Sequence, residues 1–286
     1  MTPGHNPALV ALTQRVTELP ALPQALVALM RLLREPDFSE RQCVALIERD
    51  QALAARLLRL ANSAFYGVPG RVGSIGDAMR ILGAHTVFGV LTAAALHSQV
   101  RVDACPGFHF DTYWRHTIAT ALAARALAGL LDSDADEAFL AGLLHDVGQL
   151  VLASFNPEAA GRAIARAQQG QLSTLDAETV ELGFAHPQIG ALVARHWHFP
   201  EAICHAIEWH HQPELPVGSE HISTAGLVHI ADKIAHTLHL GGDAAAPVLA
   251  PEEWAALGLG LPALGELLAA TAQGVNDICE AFDSCP

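Results

Sequence analysis

Residues 138–148 read Ala-Phe-Leu-Ala-Gly-Leu-Leu-His-Asp-Val-Gly, an apolar run that leads into adjacent histidine and aspartate side chains. Neighbouring side chains on a helix point about 100° apart, so His145 and Asp146 reach one ion only if the helix is aimed end-on or the ion lies between them. Asp146 would alternatively bridge two ions that other imidazoles hold separately. Alone, the dipeptide is weak evidence, and a surface pair is its default interpretation.

Further His and Asp residues lie on other predicted helices of the second half of the chain. A helical bundle can gather such side chains around one point, and imidazole with carboxylate is a ligand set for iron, manganese, zinc or nickel. Adjacent His210 and His211 diverge as His145 and Asp146 do, which favours two ions. The predicted metal ligands are His116, His145, Asp146, His186, His210, His211 and Asp232.

The competing interpretation is structural. Buried His and Asp side chains can persist as a hydrogen-bonded polar core, because deleting one partner leaves the others buried and unpaired. The remaining histidines have no motif support and are interpreted as surface or packing residues: His196, His198, His205, His229, His236 and His239.

The distribution of helix signals predicts an all-α fold. Strand patterns are nearly absent, whereas Ser39-Glu-Arg-Gln42 resembles a capping box and Asp50 can cap the following helix. Leu53, Leu57 and Leu60 recur at helical spacing. We expect one continuous helix over Glu137–Phe155, the segment that contains the His-Asp pair.

Composition argues against several classes of protein. The formal net charge is −14, divided into +3 up to Arg101 and −17 beyond it, which suits nucleic acid poorly. We see no apolar run near the ~20 residues of a membrane span, and no secretory signal. Five cysteines without a Cys-x-x-Cys pair predict free thiols. Together these features predict a cytoplasmic protein.

A helix–turn–helix appearance around Tyr66-Gly-Val-Pro-Gly70 also needs an interpretation. The second helix is apolar, with Ile75, Met79 and Ile81, and it lacks a row of polar side chains for base edges. We therefore predict that the protein does not bind DNA.

The order of the His and Asp candidates is similar to the ligand order of the HD superfamily of metal-dependent phosphohydrolases, above all the HD-GYP cyclic dinucleotide phosphodiesterases. The flanking sequence resembles the HDOD family of bacterial signalling output domains. Four stretches carry this resemblance: Leu19-Pro-Ala-Leu-Pro23, Ile47-Glu-Arg-Asp-Gln-Ala-Leu-Ala-Ala-Arg-Leu-Leu-Arg-Leu-Ala-Asn-Ser-Ala-Phe-Tyr-Gly67, Ala138-Phe-Leu-Ala-Gly-Leu-Leu-His-Asp-Val-Gly148 and Gly183-Phe-Ala-His-Pro-Gln-Ile-Gly190.

The resemblance implies a helical N-terminal lobe (1–105) packed on an HD-like helical bundle with the metal site (106–242), followed by a C-terminal helical extension (243–286). It implies a regulatory output module with a protein partner in a signalling pathway. One or two divalent ions, iron or manganese, would be the cofactor.

The alternative is a phosphohydrolase that acts on a nucleotide or a cyclic dinucleotide, with Asp146 as the bridging ligand for a metal-bound hydroxide. Gln149 stands where the active enzymes place Lys, and no Gly-Tyr-Pro follows His211. Both departures favour the regulatory module, whereas the nearly complete ligand set favours the enzyme. On balance we predict the regulatory module, with the phosphohydrolase as the alternative.

Overall fold

The computed structural model describes residues 24–33, 35, 37–63, 71–99, 102–213, 222–240 and 246–282, and within these ranges it contains helices and no strand. The all-α prediction is confirmed. The helices before residue 102 are α1 (Gln24–Leu33), α2 (Glu40–Ile47), α3 (Gln51–Ala61), α4 (Ile75–Leu82) and α5 (Ala84–Gln99). Those that follow are α6 (Phe110–Leu130), α7 (Ala135–Leu144), α8 (Val147–Phe155), α9 (Pro157–Gln168), α10 (Thr174–Leu182), α11 (His186–His196), α12 (Glu201–Trp209), α13 (Thr224–Thr237), α14 (Pro251–Ala256) and α15 (Leu261–Phe282).

Helix α6 is the centre of the fold, and α7, α13 and α15 pack around it. Nearly every residue between Trp114 and Ala128 is buried, as expected of a helix surrounded by others. Small side chains allow close approach: a Cβ on Gly142 of α7 would lie 2.8 Å from the Cα of Ala121. The two helices therefore meet almost backbone to backbone, which brings the end of α7 near the middle of α6.

The N-terminal helices share a core with the bundle. One apolar cluster runs from Leu26 of α1 through Leu57 and Leu91 to Val275 of α15. Helix α5 joins the two regions because it packs on both α1 and α7. The domain boundaries drawn from the sequence stay a prediction.

The structure confirms one of the two predicted helix caps and contradicts the other. The Asp50 carboxylate accepts the N–H of Leu53 at 3.1 Å, which confirms this cap. Ser39 precedes α2 with extended backbone, but its side chain makes no capping hydrogen bond, so the predicted capping box is wrong there. The predicted turn at Tyr66–Gly70 and the stretch at Leu19–Pro23 lie outside the described residues.

One apolar segment contradicts the expectation that no run approaches the length of a membrane span. Among the described residues, Ala135–Phe155 is long and apolar enough to cross a membrane, and 83% of its apolar window is buried in the protein. The expectation that no run approaches this length is wrong, because Asp146 is the only Asp, Glu, Lys or Arg between Ala138 and Phe155. The segment forms α7 and α8, which are part of the core.

The cysteines follow the prediction in part. Cys43, Cys105 and Cys204 are buried free thiols. Cys279 is bonded in a disulfide, so the expectation of free thiols is wrong for that residue.

Candidate metal centre

Five segments of the bundle bring His and Asp side chains to one place. Helix α6 carries His116, and α11 begins with His186. The remaining candidates follow α7, follow α12 or lie within α13, and the full set of predicted ligands is His116, His145, Asp146, His186, His210, His211 and Asp232. All are buried except His211, which is half-buried.

The predicted continuous helix over Glu137–Phe155 is interrupted at the His-Asp pair. Helix α7 ends at Leu144, and α8 starts at Val147 with Asp146 as its N-cap residue. The break has no Gly or Pro signal, which is why apolar periodicity missed it. His145 keeps helical backbone angles, whereas Asp146 departs from them with φ −98° and ψ 12°, and both side chains lie in the cluster.

A glycine contact sets the position of the next ligand. A Cβ on Gly148 in the first turn of α8 would lie 2.0 Å from the carbonyl oxygen of His186 and 2.9 Å from the backbone nitrogen of Gly190. Any larger residue would push α11 away from α8. The closeness of these backbones holds His186 beside Asp146.

Asp146 is the centre of the cluster, and its two carboxylate oxygens face different imidazoles. Oδ1 lies 3.1 Å from Nε2 of His186 and 3.7 Å from Nε2 of His210. Oδ2 lies 3.4 Å from Nε2 of His145 and 3.7 Å from Nε2 of His116. This arrangement is the one that a carboxylate needs to bridge two ions.

The imidazole tautomers are fixed from outside the cluster. Nδ1 of His145 donates to the carbonyl oxygen of Gly142 at 2.7 Å, and Nδ1 of His210 donates to that of Ile207 at 2.8 Å. Because a carbonyl oxygen only accepts, Nδ1 carries the proton in both rings. Because Nδ1 of each ring is engaged with a carbonyl oxygen, Nε2 is the nitrogen that faces Asp146 and would bind an ion.

His186 is oriented by a carboxylate instead. Glu178 of α10 is buried, and its Oε2 accepts both the backbone N–H of His186 at 2.7 Å and the Nδ1–H of its ring at 2.8 Å. A carboxylate behind a metal-ligating histidine fixes the ring and raises its basicity. The Nε2 of His186 also lies 3.1 Å from Nε2 of His211.

The second side of the site contains a residue that the sequence analysis set aside. His236 of α13 places Nε2 3.2 Å from Oδ1 of Asp232, and Nε2 of His116 lies 3.1 Å from the same oxygen. The spacing from Asp232 to His236, one helical turn, was the signal that could have identified it. Glu178 was missed as well, since nothing in the sequence ties it to His186.

The other histidines without motif support do not join the cluster. His196, His198, His205 and His239 are exposed, as predicted for surface residues. His229 is half-buried and donates from Nδ1 to the carbonyl oxygen of His210 at 2.6 Å, so it acts as a packing residue behind the site.

Charge in the site is strongly perturbed. Burial by itself would raise the pKa of Asp146, but the imidazoles of His145 and His186 outweigh burial and hold that pKa well below its usual range. Burial opposes the charge on His186, but Glu178 and Asp146 raise its pKa to about 10. Burial, with the neighbouring His210 and His186, lowers the pKa of His211 to about 2. The carboxylates of Glu178 and Asp146 therefore favour a positive charge on His186, which lies between them.

Buried polar atoms that lack a hydrogen-bond partner indicate whether a metal ion would fit the cluster. Within the described residues, Nε2 of His145, Nε2 of His210 and Oδ1 of Asp146 are buried and have no hydrogen-bond partner. An unpaired buried polar atom costs about 1–3 kcal/mol. All three belong to residues whose donor atoms group within 4.8 Å of other candidate ligands. The cluster can therefore hold metal ions, which would satisfy these atoms.

Gln149, which stands where active phosphohydrolases are expected to have a lysine, is hydrogen-bonded to Asp146. Nε2 of Gln149 donates to Oδ2 of Asp146 at 2.8 Å. The neutral amide is therefore engaged with the carboxylate and adds no positive charge to the site.

Comparison with protein families matches the HDOD domain over residues 19–213. An uncharacterized protein of Treponema pallidum (strain Nichols) is 28% identical over 209 residues, which are 72% of this chain and 40% of that protein. The chain thus spans well under half the length of that curated relative.

Solved structures agree on the fold. A candidate phosphohydrolase from Shewanella amazonensis SB2B has 28% identity and a TM-score of 0.75, with 97% of this chain and 99% of that chain covered. A candidate signal transduction protein from Marinobacter aquaeolei VT8 has 26% identity and a TM-score of 0.78, with 96% and 64% covered. An HDOD domain protein of unknown function from Geobacter sulfurreducens, at 24% identity and a TM-score of 0.77 with 96% and 98% covered, shows the same fold.

Proposed function

Because the chain belongs to the HDOD family, we propose that it is a signalling output module whose bundle binds two divalent metal ions bridged by Asp146. The observation that carries this proposal is the division of the Asp146 carboxylate. Oδ1 faces His186 and His210, whereas Oδ2 faces His145 and His116. A single ion would leave one of these imidazole pairs without a function.

The donor chemistry narrows the choice of ion. Magnesium and calcium prefer sites made of oxygen ligands, whereas this cluster combines many imidazoles with two aspartates. Imidazole with carboxylate suits first-row transition metals, and we propose iron or manganese. His116, His145, Asp146 and Asp232 would hold one ion, and Asp146 with His186, His210 and His211 would hold the other.

Elemental analysis of protein purified without chelator or affinity metal tests the proposal. We expect about two equivalents of iron or manganese in the wild type and none in Asp146→Ala, because that change removes the ligand common to both ions. His196→Ala, an exposed histidine of α11, is the matched control and should keep both ions. A wild-type protein that contains no metal, and takes up neither iron nor manganese when supplied, would refute the proposal.

Phosphodiester hydrolysis is the second candidate function, and the same bridging carboxylate favours it. Two bound ions would activate water and neutralise phosphate charge during hydrolysis. The structural relative from Shewanella amazonensis SB2B is described as a candidate phosphohydrolase. Against this function, Gln149 donates to Asp146 and supplies no cation to a phosphate oxygen.

A metal-loaded comparison separates the two functions. For the output module, hydrolysis of bis(p-nitrophenyl) phosphate and of a cyclic dinucleotide by the wild type should not exceed that by Asp146→Ala. A wild-type rate at least about tenfold above this variant would establish the hydrolase. If the missing cation alone limits phosphodiester hydrolysis, Gln149→Lys should hydrolyse these substrates faster than the wild type.

The partners follow from charge and family. We propose that the module acts in the cytoplasm on a protein partner of a signalling pathway, with a nucleotide as a second kind of ligand. A formal charge of −14 makes nucleic acid a poor partner, so a mobility-shift assay should detect no DNA binding at physiological salt. The relative from Marinobacter aquaeolei VT8 is itself described as a candidate signal transduction protein.

A further inference from the structure

Helix α13 contributes two donor side chains to the site, Asp232 and, one turn later, His236. We propose that His236 is a metal ligand, which joins His116 and Asp232 around the ion on the Oδ2 side of Asp146. This inference rests on the proposed two-ion site and adds to it a residue that neither the HD ligand order nor the sequence motifs include.

Two imidazole nitrogens converge on one carboxylate oxygen. Nε2 of His116 and Nε2 of His236 lie 3.1 and 3.2 Å from Oδ1 of Asp232. The three ligand atoms lie within 4.8 Å of one another. The rings of His116 and His236 are 4.7 Å apart between centroids, close enough for both nitrogens to bind one ion.

The surroundings of this group match a site for an ion. The side chains of His116, Asp232 and His236 are 7%, 6% and 13% exposed, so water screens their charges little. Among the ion pairs of the described residues, the partners of Asp232 are imidazoles: His116, His236 and, at 4.0 Å, His145. The nearest ammonium along the helix, Lys233, pairs with Glu253 of α14 instead.

An added imidazole changes what each side of the site offers. His116 belongs to two groups of close donor atoms, one with His145 and Asp146 and one with Asp232 and His236. These two groups together offer three imidazoles and two carboxylates on the Oδ2 side, whereas the Oδ1 side offers three imidazoles and the shared Asp146 alone. Equal nitrogen content with an extra negative charge predicts tighter binding of a divalent ion on the Oδ2 side.

The alternative to a metal ligand is a hydrogen-bond donor. In that case His236 would act only as a positioning residue that donates Nε2–H to Asp232 and fixes the carboxylate. A glutamine amide can make such a hydrogen bond, but it is a poor ligand beside imidazoles. His236→Gln therefore separates a ligand from a hydrogen-bond donor, and His236→Ala removes both functions.

Manganese(II) is the probe for the test. Apoprotein of the wild type, His236→Ala, His236→Gln and the control His196→Ala would be titrated with manganese and followed by EPR, with pulsed EPR to count coupled nitrogens. We expect two ions in the wild type. In both His236 variants, one ion should bind at least about tenfold more weakly and lose one nitrogen coupling, while the other ion is unchanged.

Each other outcome has a defined meaning. Wild-type affinity and nitrogen count in His236→Gln would overturn the inference and make His236 a positioning residue. If His236→Ala bound manganese with wild-type affinity and nitrogen count, His236 would have no role in ion binding. A wild-type protein that binds no manganese would instead refute the two-ion site itself. Circular dichroism of each variant, matched to wild type, confirms that it has folded.

Discussion

The N-terminal helices α1–α5 and the bundle helices α6–α13 bury different kinds of side chain. Among the described residues of the N-terminal region, the buried polar residues are small hydroxyl side chains: Ser63, Thr86 and Thr92. Besides the hydroxyl groups of Thr117 and Thr120, the bundle buries a cluster of imidazoles and carboxylates that face one another: His116, His145, Asp146, Glu178, His186, His210 and Asp232.

This difference separates a region whose buried polar groups cost little from one whose buried charges need compensation. Thr92 donates to the carbonyl oxygen of Phe88 at 2.8 Å within its own helix, so burying it perturbs little. Burying Asp146 and Asp232 requires compensating positive charge, and an apolar core of the same volume would be at least as stable. This cost is consistent with the proposal that the bundle keeps these residues in order to bind ions.

The largest expected effect is on stability and comes from the apolar region. Leu57 of α3 is completely buried in the shared core, so Leu57→Ala should lower the free energy of unfolding by about 2–5 kcal/mol. Ion affinity should not change, because Leu57 lies on α3, a helix that carries no candidate ligand. Urea unfolding and manganese titration of the same variant measure both quantities. A weakened ion affinity would show that the two regions are coupled more tightly than their side chains suggest.

The second effect should appear only in the bundle. At an ion concentration of 100 times Kd, binding stabilises the folded wild type by about 2.7 kcal/mol. Asp146→Asn should abolish that gain, since the amide cannot bridge two ions. Urea unfolding with and without manganese measures the difference, and His196→Ala should keep the full gain. An equal ion-dependent gain in Asp146→Asn would place the ions elsewhere.

The sequence carried the general arrangement of this region but not its details. Helical periodicity and the family motifs were sufficient for the all-α fold and for the HDOD assignment, both of which are confirmed. The seven candidate ligands lie together as a bundle would place them, and their binding of metal stays a proposal. The break at His145 and Asp146 was not predicted, because neither residue is a Gly or Pro that would mark the end of a helix.

The missed residues share one physical reason. Whether His236 faces the site depends on how α13 is rotated against α6, and periodicity alone fixes that only once Asp232 is known to face inward. Glu178 lies eight residues before His186 on a separate helix, and residues 183–185 connect the two helices. Contacts across such turns depend on the fold rather than on sequence spacing.

A third and smaller effect concerns the support behind one ion. Glu178→Gln keeps the shape of the side chain but removes the carboxylate that holds His186, so we expect 10–100-fold weaker binding of the ion on the Oδ1 side. Glu181→Gln is the control on the same helix, because Glu181 pairs with Arg162 and Arg166 away from the site. Manganese titration that finds both variants equal would mean that Glu178 has no part in ion binding.

The smallest effect tests a charged contact that joins the two regions. Nδ1 of His85 on α5 lies 3.7 Å from Oδ2 of Asp136 on α7, and Arg125 lies 3.7 Å from Oδ1 of the same carboxylate. Asp136 raises the pKa of His85 against the opposing effect of burial. A raised pKa in the folded state means that this contact stabilises fully below the unfolded pKa of about 6.5 and is lost as pH rises through the folded value.

The side chains of His85 and Asp136 are 42% and 38% exposed, so solvent screening limits the contribution to under about 1 kcal/mol. Buried histidines of the metal site also titrate, and the useful quantity is therefore the difference between wild type and His85→Gln. We expect this difference in unfolding free energy to be positive at pH 6 and to shrink toward pH 8.5. A constant difference across that range would mean that His85 packs between the two regions without acting through its charge.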